Sequence, residues 1–348
     1  MSTRRRTTEP SVRQTPRMRQ LAQMAFAREV TRKVVDVILP LNDTGVGPAL
    51  YCVHSITGVA TDFRPMAEML GPSQNLYGIQ TPSAKRNAEF PTSIEAISRY
   101  YVNRLNEFQP AGTLLLGGHS VGAVIALEMA QQLRAMGRDV GLLVVFDGEL
   151  FNTGTRLSSY NPIYWVKLIL NVPAWVRDFL LVEFTFLSFC KTIRLKAIAL
   201  AKSINARFRG NGSSGHAVEG FIDLSRCTPD HAAFMKTLFE TQYGYYPKPY
   251  AGRVVLYVAK TQSLAHLRQV EASWQTIAPQ AEIVKCKATH TSLLRSPKGD
   301  VVAQHLASVL SELDENPSWR ETAKVRCDEL PRQAVAPTHC HDGSTRIC

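Results

Sequence analysis

Short apolar runs and amphipathic stretches take turns along most of this chain. Residues 34–39 and 49–53 read as strands. The turn formers from Asn42 to Pro48 lie between them, so the pair is expected to be an antiparallel hairpin. Helix at 63–70 and strand at 75–79 follow, then an amphipathic helix over 94–108 with apolar positions three and four apart. The alternation continues with strand 113–117, helix 123–136 stopped by Gly137, and strand 140–146. It resumes late, with strand 253–259, helix 265–277, strand 281–286 and helix 301–313. Strands that are apolar throughout are buried on both faces, as in a parallel sheet covered by helices. The expected fold class is therefore α/β.

Between residues 150 and 248 the strand pattern stops. Bulky residues such as Tyr160, Trp165, Trp175, Phe179 and Phe186 crowd the stretch, and a Gly/Ser-rich link at 209–215 interrupts it. We read it as a helical insertion in one sheet-based domain covering 34–314. Residues 315–348 are polar with scattered prolines and are expected to be a disordered tail.

Charge changes the picture at one end only. Of the net +11, residues 1–33 carry nine Arg and Lys against two Glu, a local +7, which leaves about +4 for the remainder. The start reads as a basic disordered arm. The alternative is a basic amphipathic segment over 17–38 that touches a membrane surface or an acidic partner. The basic surface interleaved with aromatic residues that a nucleic-acid module needs is missing. No run is long and apolar enough to span a bilayer, and Arg4-Arg5-Arg6 lacks the apolar stretch of an export signal. Seven cysteines without paired spacing point to a reducing, cytoplasmic setting. His339, Cys340, His341 and Cys348 in the tail lack metal-ligand spacing, and no phosphate-cradling loop is present. We expect neither a bound metal nor a bound cofactor.

The chemistry gathers around Gly118-His119-Ser120-Val121-Gly122. A strand ahead and a helix behind make this the setting of a G-x-S-x-G turn, which raises a serine nucleophile at the top of a sheet. Glycines flank the serine because backbone meets backbone there. A serine hydroxyl needs a base, oriented in turn by a carboxylate. His290, just past the last strand, is the candidate base, because catalytic groups of open α/β sheets collect at the carboxyl ends of strands. His119 adjoins the serine, but side chains of neighbours on a tight turn diverge. Asp147, at the end of strand 140–146, is the candidate acid, with Glu149 in reserve. Val121, at a helix N-terminus, offers one backbone N–H to a developing oxyanion. A second should come from the loop His54-Ser55-Ile56-Thr57-Gly58.

Three motifs together carry a family resemblance: Tyr51-Cys52-Val53-His54-Ser55-Ile56-Thr57-Gly58, Gly117-Gly118-His119-Ser120-Val121-Gly122, and Phe146-Asp147-Gly148 with the late His290. The chain resembles the thioesterase domains of nonribosomal peptide and polyketide synthases, members of the α/β-hydrolase superfamily, over residues 34–313. The resemblance implies a mostly parallel sheet flanked by helices, with the 150–248 insertion as a lid over an acyl-binding trough. It implies a Ser120–Asp147–His290 triad, and it makes Ile56 the partner of Val121 in the oxyanion hole. The implied activity is release of an acyl or peptidyl chain from a carrier protein's phosphopantetheine arm, by hydrolysis or cyclisation. With no carrier ahead of it, the chain is expected to meet an acyl or peptidyl carrier protein in trans. Departures include Ala123 where the family often has glycine, Ala288-Thr289 before His290 where a glycine is common, and His54-Ser55 for a frequent His-Pro. Two alternatives stay open: an esterase or lipase acting on free esters, and a carrier site with phosphopantetheine attached to Ser120 itself.

Overall fold

The computed structural model describes residues 36–43, 48–72, 74–82, 90–153, 166, 169–173, 224, 227–261 and 269–314. The basic arm, the tail, the aromatic residues named in the insertion and its Gly/Ser link lie outside them.

Among the described residues seven strands form one sheet: β1 (Ile38–Asn42), β2 (Leu50–Val53), β3 (Leu76–Ile79), β4 (Leu114–His119), β5 (Val140–Phe146), β6 (Val254–Thr261) and β7 (Glu282–Thr289). Their order across the sheet is β1-β3-β2-β4-β5-β6-β7. Every pairing is parallel except β1 with β3.

That order corrects the expected hairpin. β1 pairs with β3, its Ile38 opposite Ile79, and not with the next strand in sequence. Both edges of β2 are taken by parallel neighbours, β3 and β4, and all four of its residues are buried. β1, partly exposed, caps the sheet edge instead.

Because side chains alternate across a strand, each strand feeds two cores. Tyr51, Val53, Leu114, Leu116, Leu143, Val145, Val254 and Leu256 pack on one face. That face is covered by α2 (Ile94–Phe108), α3 (Val121–Ala135), α4 (Pro229–Thr241) and α5 (Val270–Ile277). Leu50, Cys52, Leu115, Leu142, Val144, Phe146, Val255 and Tyr257 pack on the other, under α1 (Arg64–Leu70) and α6 (Asp300–Asp314). Each fully buried Leu, Ile, Val or Phe contributes about 1.5–3 kcal/mol, so the two layers dominate stability.

Local chemistry sets the helix starts. The Ser93 hydroxyl accepts the N–H of Ala96 ahead of α2, whose Ile94, Ile97, Tyr101, Val102 and Leu105 then form its buried stripe. Thr228 accepts the N–H of His231 ahead of α4, and Pro229 occupies the first turn, where its missing N–H costs nothing. The helix expected over 265–277 is described from Gln269 onward and runs Val270–Ile277. No helix among the described residues is long and apolar enough to cross a membrane.

Candidate active site

Ser120 sits where β4 ends and α3 begins, at φ 59 and ψ −124. A non-glycine residue held there costs on the order of 1–3 kcal/mol and needs its surroundings to enforce it. They do. The Ser120 N–H donates to the Phe146 carbonyl at 3.1 Å, and its own carbonyl accepts from Ala123 N–H at 3.1 Å. A Cβ on Gly118 would stand 2.1 Å from the Gly122 carbonyl oxygen, and one on Gly122 would stand 2.2 Å from that of His54. Glycine at both places lets the first turn of α3 press against β4 and against the end of β2.

Asp147 follows the last residue of β5, also at positive φ (52), and is fully buried. Its N–H donates to the Tyr257 carbonyl at 2.9 Å, and its Oδ1 accepts the Ala259 N–H at 3.0 Å. Oδ2 is left facing His290, whose Nδ1 lies 2.8 Å away. With Asp147 as a carboxylate, which only accepts, Nδ1 donates and Nε2 takes the acceptor role. Asp147 also helps to raise the Cys286 thiol, after burial itself, to a pKa of about 11.

His290 follows β7 directly. Its carbonyl oxygen lies 2.8 Å from His119 Nε2, and the two imidazole rings lie 4.4 Å apart at 32°. His119 is the residue before Ser120, so this contact draws the β7 loop to the β4–α3 turn. The structure therefore brings Ser120, Asp147 and His290 to the carboxyl ends of β4, β5 and β7, on one edge of the sheet, with the Asp147–His290 hydrogen bond formed. Glu149 is not among them: its Oε1 accepts the Gln269 N–H at 2.8 Å, at the start of α5.

Val121 opens α3, where a first-turn N–H has no acceptor within its own helix. Ile56 lies in the loop after β2, and among the described residues its N–H has no hydrogen-bond acceptor. That loop is held in detail. His54 is fully buried, its Nδ1 2.5 Å from the Ser55 carbonyl and its Nε2 2.7 Å from the Tyr101 hydroxyl. The Ser55 and Thr57 hydroxyls both donate to Asp62 Oδ2, at 2.9 and 2.8 Å. Ser55, at one of the departures from the family motif, thus gains a carboxylate anchor. His231, from α4, places Nε2 2.8 Å from the Thr57 carbonyl.

Three of these roles escaped the sequence. His119, whose side chain is expected to diverge from its neighbour's hydroxyl, finds its partner 171 residues away. His231 meets Thr57 across 174 residues, and Asp62 carries no motif at all. Only folding makes these pairs, and no local spacing signals them. Among the described residues no three His, Cys, Asp or Glu side chains are grouped to hold a metal ion.

Residues 48–161, about a third of the chain, match the family model of the thioesterase domain. A dimodular nonribosomal peptide synthase of Bacillus subtilis (strain 168) is 31% identical over 117 residues, 34% of this chain and 5% of that protein. Enterobactin synthase component F of Escherichia coli (strain K12) is 33% identical over 112 residues, 32% of this chain and 9% of that protein. A probable non-canonical nonribosomal peptide synthetase of Salinispora arenicola is 31% identical over 134 residues, 38% of this chain and 2% of that protein. The chain thus spans less than a tenth of the length of these relatives. Among solved structures, the NocB thioesterase domain in covalent complex with a fluorophosphonate nocardicin G analogue superposes with a TM-score of 0.51. That match is 20% identical and covers 78% of this chain and 99% of the other. The thioesterase domain tied to surfactin cyclisation gives 0.50 at 14% identity, covering 80% and 96%. The fold matches that of these thioesterase domains, a mostly parallel sheet flanked by helices, as expected; the expected lid over 150–248 lies largely outside the described residues.

Proposed function

We propose that this protein is a serine thioesterase that releases an acyl or peptidyl chain from the phosphopantetheine arm of a carrier protein, in nonribosomal peptide or polyketide biosynthesis. Ser120, His290 and Asp147 are its triad, and the N–H groups of Val121 and Ile56 its oxyanion hole. The reading rests on one observation above the others: a buried Asp147 bonded at 2.8 Å to His290 beside a serine at positive φ. The thioesterase match over residues 48–161 supports the substrate class.

In this mechanism Ser120 Oγ attacks the thioester carbonyl while its proton passes to His290 Nε2. Asp147 stabilises the imidazolium that forms. The tetrahedral oxyanion takes two hydrogen bonds, each donor being worth on the order of 10²–10³ in rate. Collapse breaks the C–S bond, and His290 returns the proton to the departing thiol. Water, or an amine or hydroxyl of the bound chain, then attacks the Ser120 ester with His290 again as base, giving an acid or a ring. A carrier presented in trans, in a reducing cytoplasm, is the partner this reading calls for.

An alkyl fluorophosphonate should label the wild-type protein at Ser120 and leave Ser120→Ala unlabelled. A thioester loaded on a separate carrier protein should turn over faster than a soluble ester of the same chain. Faster turnover of the free ester would make the protein an esterase instead. A mass gain at Ser120 after treatment with a phosphopantetheinyl transferase and coenzyme A would make it a carrier and end the proposal.

A further inference from the structure

The loop from His54 to Gly58 is held residue by residue, and its holders come from two places. His54 is bonded to Tyr101 and Thr81, while Ser55 and Thr57 are bonded to Asp62. These partners all belong to the first half of the sheet domain. Further contacts come from α4, inside the stretch that interrupts the strand alternation. His231 Nε2 lies 2.8 Å from the Thr57 carbonyl oxygen. A carbonyl can only accept, so the imidazole donates, and it fixes the peptide group that follows Thr57. Gly58, at φ +75, lies under the Phe234 ring so closely that a Cβ would fall 2.7 Å from Phe234 Cε1. His231 and Phe234 are three apart on the helix and their rings stack at 6.2 Å, so both act from one face of α4. Phe234 also packs edge-on against Phe90, at 5.7 Å, on the way to Tyr101 and His54.

We infer that α4 completes the oxyanion loop: His231 and Phe234 are positioning residues that aim the Ile56 N–H by holding Thr57 and Gly58, which follow it. The inference rests on the proposed role of that N–H. Ile56 sits between Ser55, anchored by Asp62, and Thr57, anchored by Asp62 on its side chain and by His231 on its carbonyl. Remove His231 and the Thr57–Gly58 peptide keeps the bond from the Gly58 N–H to the Ser55 carbonyl at 3.1 Å but loses the one that holds its oxygen, so Ile56 loses one of its downstream restraints. The Phe234 ring limits how far Gly58, the most permissive residue of the turn, can swing. The first turn of α4, itself fixed by the Thr228 cap, thereby bears on the chemistry without touching substrate.

Two readouts on the full chain test this: backbone hydrogen exchange of the peptide containing residues 54–58, and kinetics at Ser120. His231→Ala should speed exchange in that peptide. It should lower the fluorophosphonate labelling rate and the kcat for a simple acyl thioester by about ten-fold, less than loss of a whole oxyanion donor, with KM within about two-fold. A trifluoromethyl ketone, which forms an oxyanion on the serine, should bind the variant more weakly by a similar factor. His231→Gln keeps a donor at similar reach and should recover most of each effect; Phe234→Leu should loosen the peptide while the fold persists. Unchanged exchange in His231→Ala overturns the inference, and so does a loss confined to KM, or a Gln variant as impaired as the Ala one. A wild-type protein that is not labelled at Ser120 would instead defeat the proposed function, while exchange still decides whether α4 holds the loop.

Discussion

The two oxygens of Asp147 have separate work. Oδ1 is spent on the Ala259 N–H, which locks the carboxylate to β6, and Oδ2 is left for His290. Asp147→Asn keeps the shape but can present N–H where the imidazole proton should be accepted, turning the ring to the wrong tautomer. We expect kcat to fall by roughly three to four orders of magnitude, with the Tm little changed. Glu149→Gln should leave kcat within about two-fold and cost stability instead, about 1 kcal/mol for a weakened acceptor at the start of α5. A Glu149 variant as inactive as the Asp147 one would reassign the acid. At this scale the sequence pointed to the candidate acid and base through their places after strand ends. It put Asp147 ahead of Glu149 only by its place directly at the strand end, since both stand after the same strand. The difference is that Glu149 is drawn away by Gln269, 120 residues downstream.

Among the elements, the approach of α3 to β2 decides whether two N–H groups can converge. Gly122 is the contact: its Cα faces the Val53 and His54 carbonyls, where a methyl group would sit 2.4 and 2.2 Å from the oxygens. Neither neighbour is a side-chain tip that could swing aside. Gly122→Ala should therefore push α3 away from the strand end, at about 1–3 kcal/mol in stability. It should also slow fluorophosphonate labelling, because Val121 N–H moves with the helix. Normal labelling in a destabilised Gly122→Ala protein would separate helix seating from the hole. Helix and strand identities were readable wherever burial alternated clearly. Ile94–Phe108 and Val140–Phe146 match their expected bounds, because a Ser93 cap and a continuous apolar run mark them. Strand neighbours were not readable. Nothing local distinguishes β1 beside β2 from β1 beside β3; the choice is made by competition for the edges of β2, which two parallel strands win.

Across the whole molecule, burial in the two-faced core moves a set of thiols and phenols one way. Desolvation raises the Cys52 thiol and the Tyr257, Tyr245 and Tyr250 phenols, and lifts Cys286 from 9.0 to about 11. Each is a group whose neutral form the folded state prefers. Between the ordinary and the raised pKa the unfolded chain has released a proton that the native protein still holds. The stability these groups contribute is whole below about pH 9 and is lost as pH rises toward and beyond 11. The Tm should accordingly stay level up to about pH 8.5 and fall steeply by about pH 10.5, with an alkaline slope reduced in a Cys52→Ala/Cys286→Ala variant. Cys286 ties this behaviour to the site, since it lies on β7 opposite Ala259, whose N–H holds Asp147. If β7 loosens first at high pH, activity should be lost before the far-UV signal of the sheet, because His290 leaves with the strand it follows. Simultaneous loss of activity and fold would instead mean that the sheet opens as one unit, with the β6–β7 edge no weaker than its centre.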